Sequence, residues 1–569
     1  MKNWKFLLLL FLCLVITKSL LSSLVPAPSM FSDEYEYAKM AQSFWQNGNL
    51  KVHETPGINF PPIYPIIISP AYAFQDMRIT YLLIKIINAV ISSLVVFPAY
   101  LLAKELMNKR LAIMSAILAG IIPSTAAYSP YILSENLFLP LFIMSTYLLY
   151  KTVTTDNHAT TCFLGITTGV TIAFTFFTRT LGITLVICSI VLFFIKLIDR
   201  NTSKTGTLRN LLPLSLTLAS LFFVIILKNI LFPGPLLQQY FILPENFGHG
   251  SLLQIALILA IWCLIYIGYF FIATGLFPAI NILNMKSLSS QRIRWFIIIL
   301  TTLSALGILI AAKHNMNLAL LNTMPFTSFP GRPIGRYIEY LFPLLIISGF
   351  VPNNTKINKI ITGAVVATSI ISVVTLATFT LLPINNGSLI LLGLSKFTYE
   401  DIISPMDNPL RYLIFLAIAA VLLIFLIRTN IKYNRNKEII IALLTFLFLT
   451  STLLAYAYAI QNSTKYWYEG EQMQLGLWIN DHEEFRGKTF LVDEDYGGKI
   501  LKTKQDVLHE GSSSTIFGFW MNMPLKVGNV RNLEGIDYII SKSDLNSPII
   551  KETGDNIRLY KVEQSTGST

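Results

Sequence analysis

The chain has 569 residues, of which 53% are hydrophobic and only 13% charged, with a formal net charge of +12. A soluble protein of that length could not hide so much apolar surface, whereas a chain that crosses a bilayer many times has no need to. Lys and Arg sit mainly in short links between apolar runs, the charge bias of cytosolic loops, which removes nucleic acid as the partner that a basic chain would otherwise suggest.

Lys2 and Lys5 open the chain, and an apolar run follows to about Leu24. The run is long and lacks a clear small-residue cleavage site, so it reads as a retained first span with its lysines in the cytosol rather than as a signal peptide. Apolar runs near the ~20 residues that cross hydrocarbon predict roughly 13 spans. Their expected limits are 5–25, 81–103, 111–129, 131–150, 160–178, 181–198, 210–230, 251–280, 295–312, 337–351, 359–382, 409–427 and 438–460. Links carrying Lys104/Lys109/Arg110, Lys151, Lys196/Arg200/Lys204/Arg209, Lys286/Arg292/Arg294, Lys356/Lys359 and Arg428/Lys432/Arg435/Lys437 belong to the cytosolic side. The longer links 26–80, 231–250, 313–336 and 383–408, with Pro, Gly and aromatics, fall on the other side. An odd number of spans then puts residues 461–569 outside. Cys13, Cys162, Cys188 and Cys263 all lie inside apolar runs at no metal-ligand spacing, and read as small buried side chains.

Composition changes sharply after Ile460, so residues 1–460 read as a multi-pass transmembrane domain and 461–569 as a small extracytoplasmic α/β domain. Strands are expected at Lys488–Val492, Tyr538–Ser541 and Ile557–Val562, and a helix over Glu471–Asn480 with Met473, Leu477 and Trp478 on one face.

Candidate chemistry begins just after the first span, in Ser32-Asp33-Glu34-Tyr35-Glu36-Tyr37. Ser32 reads as an N-cap and the acids suit the positive end of a helix. Tyr37, Met40, Ala41, Phe44 and Trp45 recur at helical spacing until Asn47-Gly48, which predicts a short amphipathic helix lying in the membrane interface. Such a helix would hold Asp33 and Glu34 at headgroup depth, where a carboxylate can take the proton of an attacking hydroxyl. The plainer alternative is that the two acids only favour a helix start. Further along, Glu135 lies in Tyr131-Ile-Leu-Ser-Glu-Asn-Leu-Phe138, and Arg179 separates two apolar runs with almost no loop. Ionisable groups beside spans need a partner or a task, although Glu135 could cap a helix in water and Arg179 could snorkel to headgroups. Gly331-Arg332-Pro333-Ile334-Gly335-Arg336-Tyr337-Ile338-Glu339 places arginines on the outer side, against the general charge bias. Arginine binds phosphate through two parallel charge-assisted hydrogen bonds. His53, His249 and His314 show no metal-site spacing and read as loop residues.

The Asp-Glu-x-x-Tyr stretch at Asp33–Tyr37, followed by Pro61-Pro62-Ile63-Tyr64-Pro65, resembles the GT-C superfamily of membrane glycosyltransferases. The likeness is to its protein O-mannosyltransferase and aminoarabinose-transferase branch. No Asp-x-Asp occurs in the segment, which departs from the metal-dependent oligosaccharyltransferase branch. The resemblance implies an α-helical polytopic GT-C-like fold and a polyprenyl-phosphate-linked sugar as donor. It implies Asp33, with Glu34 beside it, as the catalytic base, and Glu135 as a residue of the same cavity that orients the acceptor or a cation. By the same match Arg336 and Arg179 would bind the donor phosphate, joined by Arg332, while Tyr337 is as readily an interface anchor as a ligand. The expected reaction is a metal-independent, cofactor-free inverting displacement in a plasma membrane, with a glycan, lipid or protein hydroxyl as acceptor and membrane lipids around the chain. The alternatives are a transporter or flippase of a lipid-linked glycan, and a non-catalytic anchor for the tail domain. Charges clustered at span ends and dissimilar halves speak against the former.

Overall fold

The computed structural model describes residues 2–29, 31–53, 55–56, 60–74, 76–155, 158–198, 204–231, 252–285, 290–317, 333–352, 358–376, 379, 381–392, 437–493, 513–554 and 556–563. Among these, ten helices are long and apolar enough to cross a membrane, so the chain is a polytopic membrane protein. They run from Trp4–Ser23 and Met77–Leu106 through Glu135–Thr154, Thr160–Thr178 and Thr180–Ile198 to Glu438–Lys465. Leu8, Leu9, Leu12, Ile16 and Leu20 of the first helix, α1 (Lys2–Ser23), stand exposed along one side, as side chains facing lipid would.

The difference from the roughly 13 expected spans has local causes. The stretch 111–129 yields only Lys109–Ile121 and a single turn, Pro123–Ala126. Ile122 precedes a proline, whose ring disfavours the helical conformation there, and its backbone is extended at φ −61°, ψ 141°. The stretch 337–351 breaks into 3₁₀ turns at Gly335–Tyr337 and Glu339–Leu341 before the short helix Phe342–Gly349. The expected span 409–427 lies outside the described residues.

The chain divides into two compact units. The first comprises Met1–Lys18, Ala89–Tyr128 and Ser134–Tyr458. Within it, Gly165 and Gly169 sit four apart on one helix, and an added Cβ would come within 2.3 Å of Pro213 O and 2.1 Å of Thr217 O. Glycine therefore lets the helices His158–Thr178 and Lys204–Leu231 touch backbone to backbone, the small-residue packing that substitutes for a hydrophobic driving force in lipid. Lys18, a cation inside a span, donates to Ser92 Oγ at 3.0 Å and to Thr125 O at 3.2 Å.

The second unit comprises Ser19–Asn88, Ser129–Leu133 and Ala459–Thr569. Its sheet has five strands: β1 (Phe490–Asp493), β2 (Leu525–Gly528), β3 (Tyr538–Ser541), β4 (Ile549–Glu552) and β5 (Arg558–Lys561). They lie in the order β2-β1-β3-β5-β4, with β2, β1 and β3 parallel and the last two antiparallel. Two of the five, β2 and β4, and the helix Ser513–Trp520 were not anticipated. β1 and β3 are buried throughout, and Phe490, Val492 and Ile540 pack with Leu475 and Ile479 of Glu471–Asp481 and with Phe517 and Met521. Burial on both faces is why these strands read as unbroken apolar runs rather than alternating ones.

The segment after α1 belongs to this unit. Helix α2 (Phe31–Asn47) begins one residue before Ser32, so Ser32 lies inside it rather than capping it. It ends as expected, with Gly48 at φ +66° and its N–H on Phe44 O at 2.9 Å. The stripe is split along its length: Tyr37, Met40 and Ala41 are buried, the Tyr37 ring meeting Phe60 and Tyr64 at 4.8 and 5.1 Å, whereas Trp45 is 49% exposed. The buried part is core because α2 packs on Ser513–Trp520, where a Cβ on Gly518 would stand 2.6 Å from the Tyr35 ring.

Candidate functional site

The first unit gathers charges from three separate stretches. Glu135 is the first residue of the helix Glu135–Thr154. Arg179 occupies a one-residue gap between Thr178, the last residue of a helix, and the 3₁₀ turn Thr180–Gly182. Its backbone is extended at φ −157°, and Gly182, where a Cβ would be 2.7 Å from Phe176 Cα, lets the turn press against the preceding helix. Arg336 sits in the 3₁₀ turn Gly335–Tyr337, its N–H on Asn385 O at 3.0 Å. Asn386 fixes the same stretch, accepting from Gly335 N at 2.9 Å and donating to Pro333 O at 3.2 Å.

These frames bring both guanidiniums to one carboxylate. Arg179 Nη1 pairs with Glu135 Oε1, and Arg336 Nη1 stands 3.8 Å from the same oxygen. All three side chains are largely buried, at 5% exposure for Glu135, 11% for Arg179 and 12% for Arg336. Two guanidiniums thus face one carboxylate oxygen where water is scarce. Arg179 Cζ lies 5.6 Å from the Tyr337 ring centroid, and the His314 ring is 4.3 Å from Tyr337. His314 is therefore no loop residue: it lies on the long helix Gln291–Asn317. His249 and Arg332 fall outside the described residues.

Glu339 lies three residues beyond Arg336. It is buried, accepting from Tyr128 Oη at 2.8 Å and from Tyr269 Oη at 3.0 Å. Tyr266 Oη, one helical turn from Tyr269, accepts from Ile334 N at 3.1 Å. The arginine-bearing turn is thus pinned by tyrosines from one helix. No local pattern marks this contact, since Tyr269 and Glu339 lie 70 positions apart in sequence.

The second unit holds the other acids. Asp33 is in the first turn of α2 and is partly exposed. Glu34 is fully buried, and both its oxygens are occupied by backbone: Oε2 accepts from Ser29 N at 2.9 Å and Oε1 from Ile132 N at 3.0 Å. Its side chain fastens chain to chain. Glu36, passed over in the sequence, lies one turn from Asp33 on the same helix, a spacing that marks shared faces. Its Oε2 is buried with no hydrogen-bond partner among the described residues. Burial, and then the charge of Asp33, push its carboxyl up to about 7.

Ten apolar helices among the described residues and a small α/β sheet domain make a polytopic membrane protein with a GT-C-like fold. The solved structure of ArnT from Cupriavidus metallidurans bound to undecaprenyl phosphate superposes with a TM-score of 0.51 at 11% identity, covering 92% of this chain and 86% of that one. ArnT from the same organism in the apo state gives 0.50 at 12% identity, with coverages of 93% and 86%. The family model for dolichyl-phosphate-mannose-protein mannosyltransferase matches residues 60–230, a stretch that includes Glu135 and Arg179 but neither Asp33 nor Arg336. No curated protein matches the sequence.

Proposed function

We propose that the chain is a glycosyltransferase that moves a sugar from a polyprenyl phosphate to an acceptor hydroxyl on the non-cytosolic face of a plasma membrane. The observation that carries this is the convergence of Arg179 and Arg336 on a single buried carboxylate. Two guanidiniums brought side by side in a low-dielectric site suit an anion, and the fork of arginine fits phosphate oxygens. The GT-C-like fold supports the same donor class: the similar ArnT structure is bound to undecaprenyl phosphate.

Asp33 is the proposed base. It takes the proton of the acceptor hydroxyl as that oxygen attacks the anomeric carbon. The bond from that carbon to the phosphate oxygen breaks, and its electron pair stays on the departing polyprenyl phosphate. Arg336 and Arg179 stabilise the charge that builds there, and one displacement inverts the anomeric centre. Two guanidiniums supply the positive charge, so the step is written without a metal. Glu135 positions the arginines rather than touching the acceptor, and Glu34 holds the start of α2. Tyr337 orients Arg179 through its ring face. On this orientation Asp33 and the domain 461–569 are extracytoplasmic, with 1–460 as the membrane domain.

Purified membranes incubated with undecaprenyl- and dolichyl-phosphate sugars, with products identified by mass spectrometry, test this. Transfer is expected from at least one donor and is lost in Asp33→Asn at unchanged expression. Full turnover by Asp33→Asn would remove Asp33 from the mechanism, and no turnover of any donor would end the transferase assignment.

A further inference from the structure

A cavity of about 500 Å³ opens within the second unit, away from the acids of α2's first turn. One wall is the face of α2 that carries Lys39, Gln42, Ser43, Gln46 and Asn47, positions spaced so as to share one side of a helix. The opposite wall comes from the tail domain, with Asn480, Arg486 and Asn522. Its volume lies in the ~300–1,000 Å³ range of small-molecule sites. We propose that this cavity binds a saccharide, and, resting on the transferase assignment above, that the saccharide is the glycan part of the acceptor.

The lining chemistry carries the assignment. Five carboxamides, Gln42, Gln46, Asn47, Asn480 and Asn522, face the space. Each amide offers an acceptor oxygen and two N–H donors, the mixture that sugar hydroxyls, which both donate and accept, can satisfy. Several are already held in place. Lys39 Nζ donates to Gln42 Oε1 at 2.8 Å and to Met521 O at 2.6 Å, Gln42 Nε2 donates to Asn522 Oδ1 at 3.0 Å, and Asn522 N donates to Asn480 Oδ1 at 2.9 Å. A chain of fixed amides costs a ligand little ordering. Tyr72 and Phe74 add aromatic surface for the apolar faces of sugar rings. Tyr72 Oη and His53 Nε2 are buried on this wall with no hydrogen-bond partner among the described residues.

Other ligand classes fit less well. The wall takes in the last turn of α2, where the helix dipole is negative, the wrong end for a phosphate. A peptide would want an open strand edge or a row of apolar pockets, and half of the lining residues are amides or basic groups. Arg486 and the buried amine of Lys39 are the basic groups in the lining, with no carboxylate among the lining residues, so uronic-acid glycans are favoured over amino sugars bearing a free amine.

The test uses the full chain in lipid nanodiscs and three probe sets: mannotriose, chitotriose and trigalacturonate; an unrelated hydrophilic pentapeptide; and inorganic phosphate. Binding is read by saturation-transfer NMR and calorimetry. At least one trisaccharide is expected to bind, and Gln46→Trp, which fills the cavity from an exposed position, lowers its affinity by about tenfold or more. Asn47→Trp at the rim repeats the test should the first variant fold poorly, with monodispersity on gel filtration as the check. The proposal is overturned if no trisaccharide binds, if both tryptophan variants bind as well as the parent, or if only the peptide or phosphate occupies the site. Release of sugar from the lipid-phosphate donor by the unaltered chain is measured separately. Saccharide binding without any donor turnover would sink the transferase assignment and leave the cavity; donor turnover without saccharide binding would do the reverse.

Discussion

Glu135 Oε1 serves two arginines at once, pairing with Arg179 and standing 3.8 Å from Nη1 of Arg336. Breaking a buried pair by removing one partner leaves an uncompensated charge, so Glu135→Gln should lower stability by about 3–5 kcal/mol. An anion brought to the two guanidiniums would offset that loss. Undecaprenyl phosphate should therefore raise the Tm of Glu135→Gln more than that of the parent chain in a thermal-shift assay. Equal shifts would show that the triad is a structural clamp without a phosphate role.

Arg336→Ala removes one of the two groups proposed to stabilise the leaving phosphate. Loss of a single such donor costs about 100- to 1,000-fold in turnover, ~2.7–4 kcal/mol. Arg336→Lys keeps the charge but loses the fork, and should recover only part of the rate. Single-turnover transfer in membranes measures both. A lysine variant with the full rate would mean that charge alone matters there.

How much of this was legible in the sequence depended on whether the cause was local. The end of α2 at Gly48 was readable because a positive φ favours glycine, and the apolar strands β1 and β3 were readable because both their faces are buried. Arg179 stood out as a charge between two spans with no loop to carry it. Its pairing with Glu135 could not be read, since nothing in a spacing of dozens of residues encodes a contact made through tertiary packing. Glu34 shows the same limit: its first-turn position suits a base, but Ile132 N, which donates to Oε1, comes from far along the chain. The short strands β2 and β4 carry too few apolar residues to announce themselves, being half and wholly exposed.

Because Glu34 spends both oxygens on backbone N–H groups, Glu34→Gln sets an amide N–H₂ against one of those donors. That should cost about 1–3 kcal/mol of stability, the price of a buried unsatisfied polar group. Asp33→Asn, on a partly exposed side chain, should leave Tm nearly unchanged while abolishing transfer. Comparing melting curves with turnover for the two variants separates their roles. A Glu34→Gln protein of normal stability that fails to transfer would return Glu34 to the chemistry.

α2 should give the protein a two-sided pH dependence. The Glu36 carboxyl is pushed from its ordinary 4.5 up to about 7 by burial and then by Asp33. Between those values the folded chain binds more protons than the unfolded one, so stability falls as pH rises from 4.5 to about 7. Burial lowers the Lys39 ammonium from 10.5 to about 7. Over that interval the unfolded chain holds more protons, so stability rises again toward pH 10.5. Glu36→Gln should flatten the acid limb and leave the alkaline limb. Melting temperatures across this range, in detergent, show whether it does.

Gly335 sits where the arginine-bearing turn meets the tyrosines that pin it. A Cβ there would lie 1.9 Å from Tyr269 Oη and 2.4 Å from its Cζ, so Gly335→Ala must displace the ring and break its bond to Glu339. Overpacking of that kind costs about 1–3 kcal/mol. Since Arg336 is the next residue, the shift should also weaken donor use, raising KM for the lipid-phosphate sugar. Gly363 provides the contrast: it lies in the helix Lys359–Leu376 with nothing among the described residues within 4 Å of an added Cβ. There the helix preference of alanine over glycine acts alone, and Gly363→Ala should stabilise by about 0.5–1 kcal/mol. Opposite signs for the two substitutions, with a KM effect only at Gly335, would tie the close approach at Tyr269 to the placement of Arg336. A Gly335→Ala chain with parental Tm and KM would mean that the turn accommodates a methyl group without moving the tyrosine.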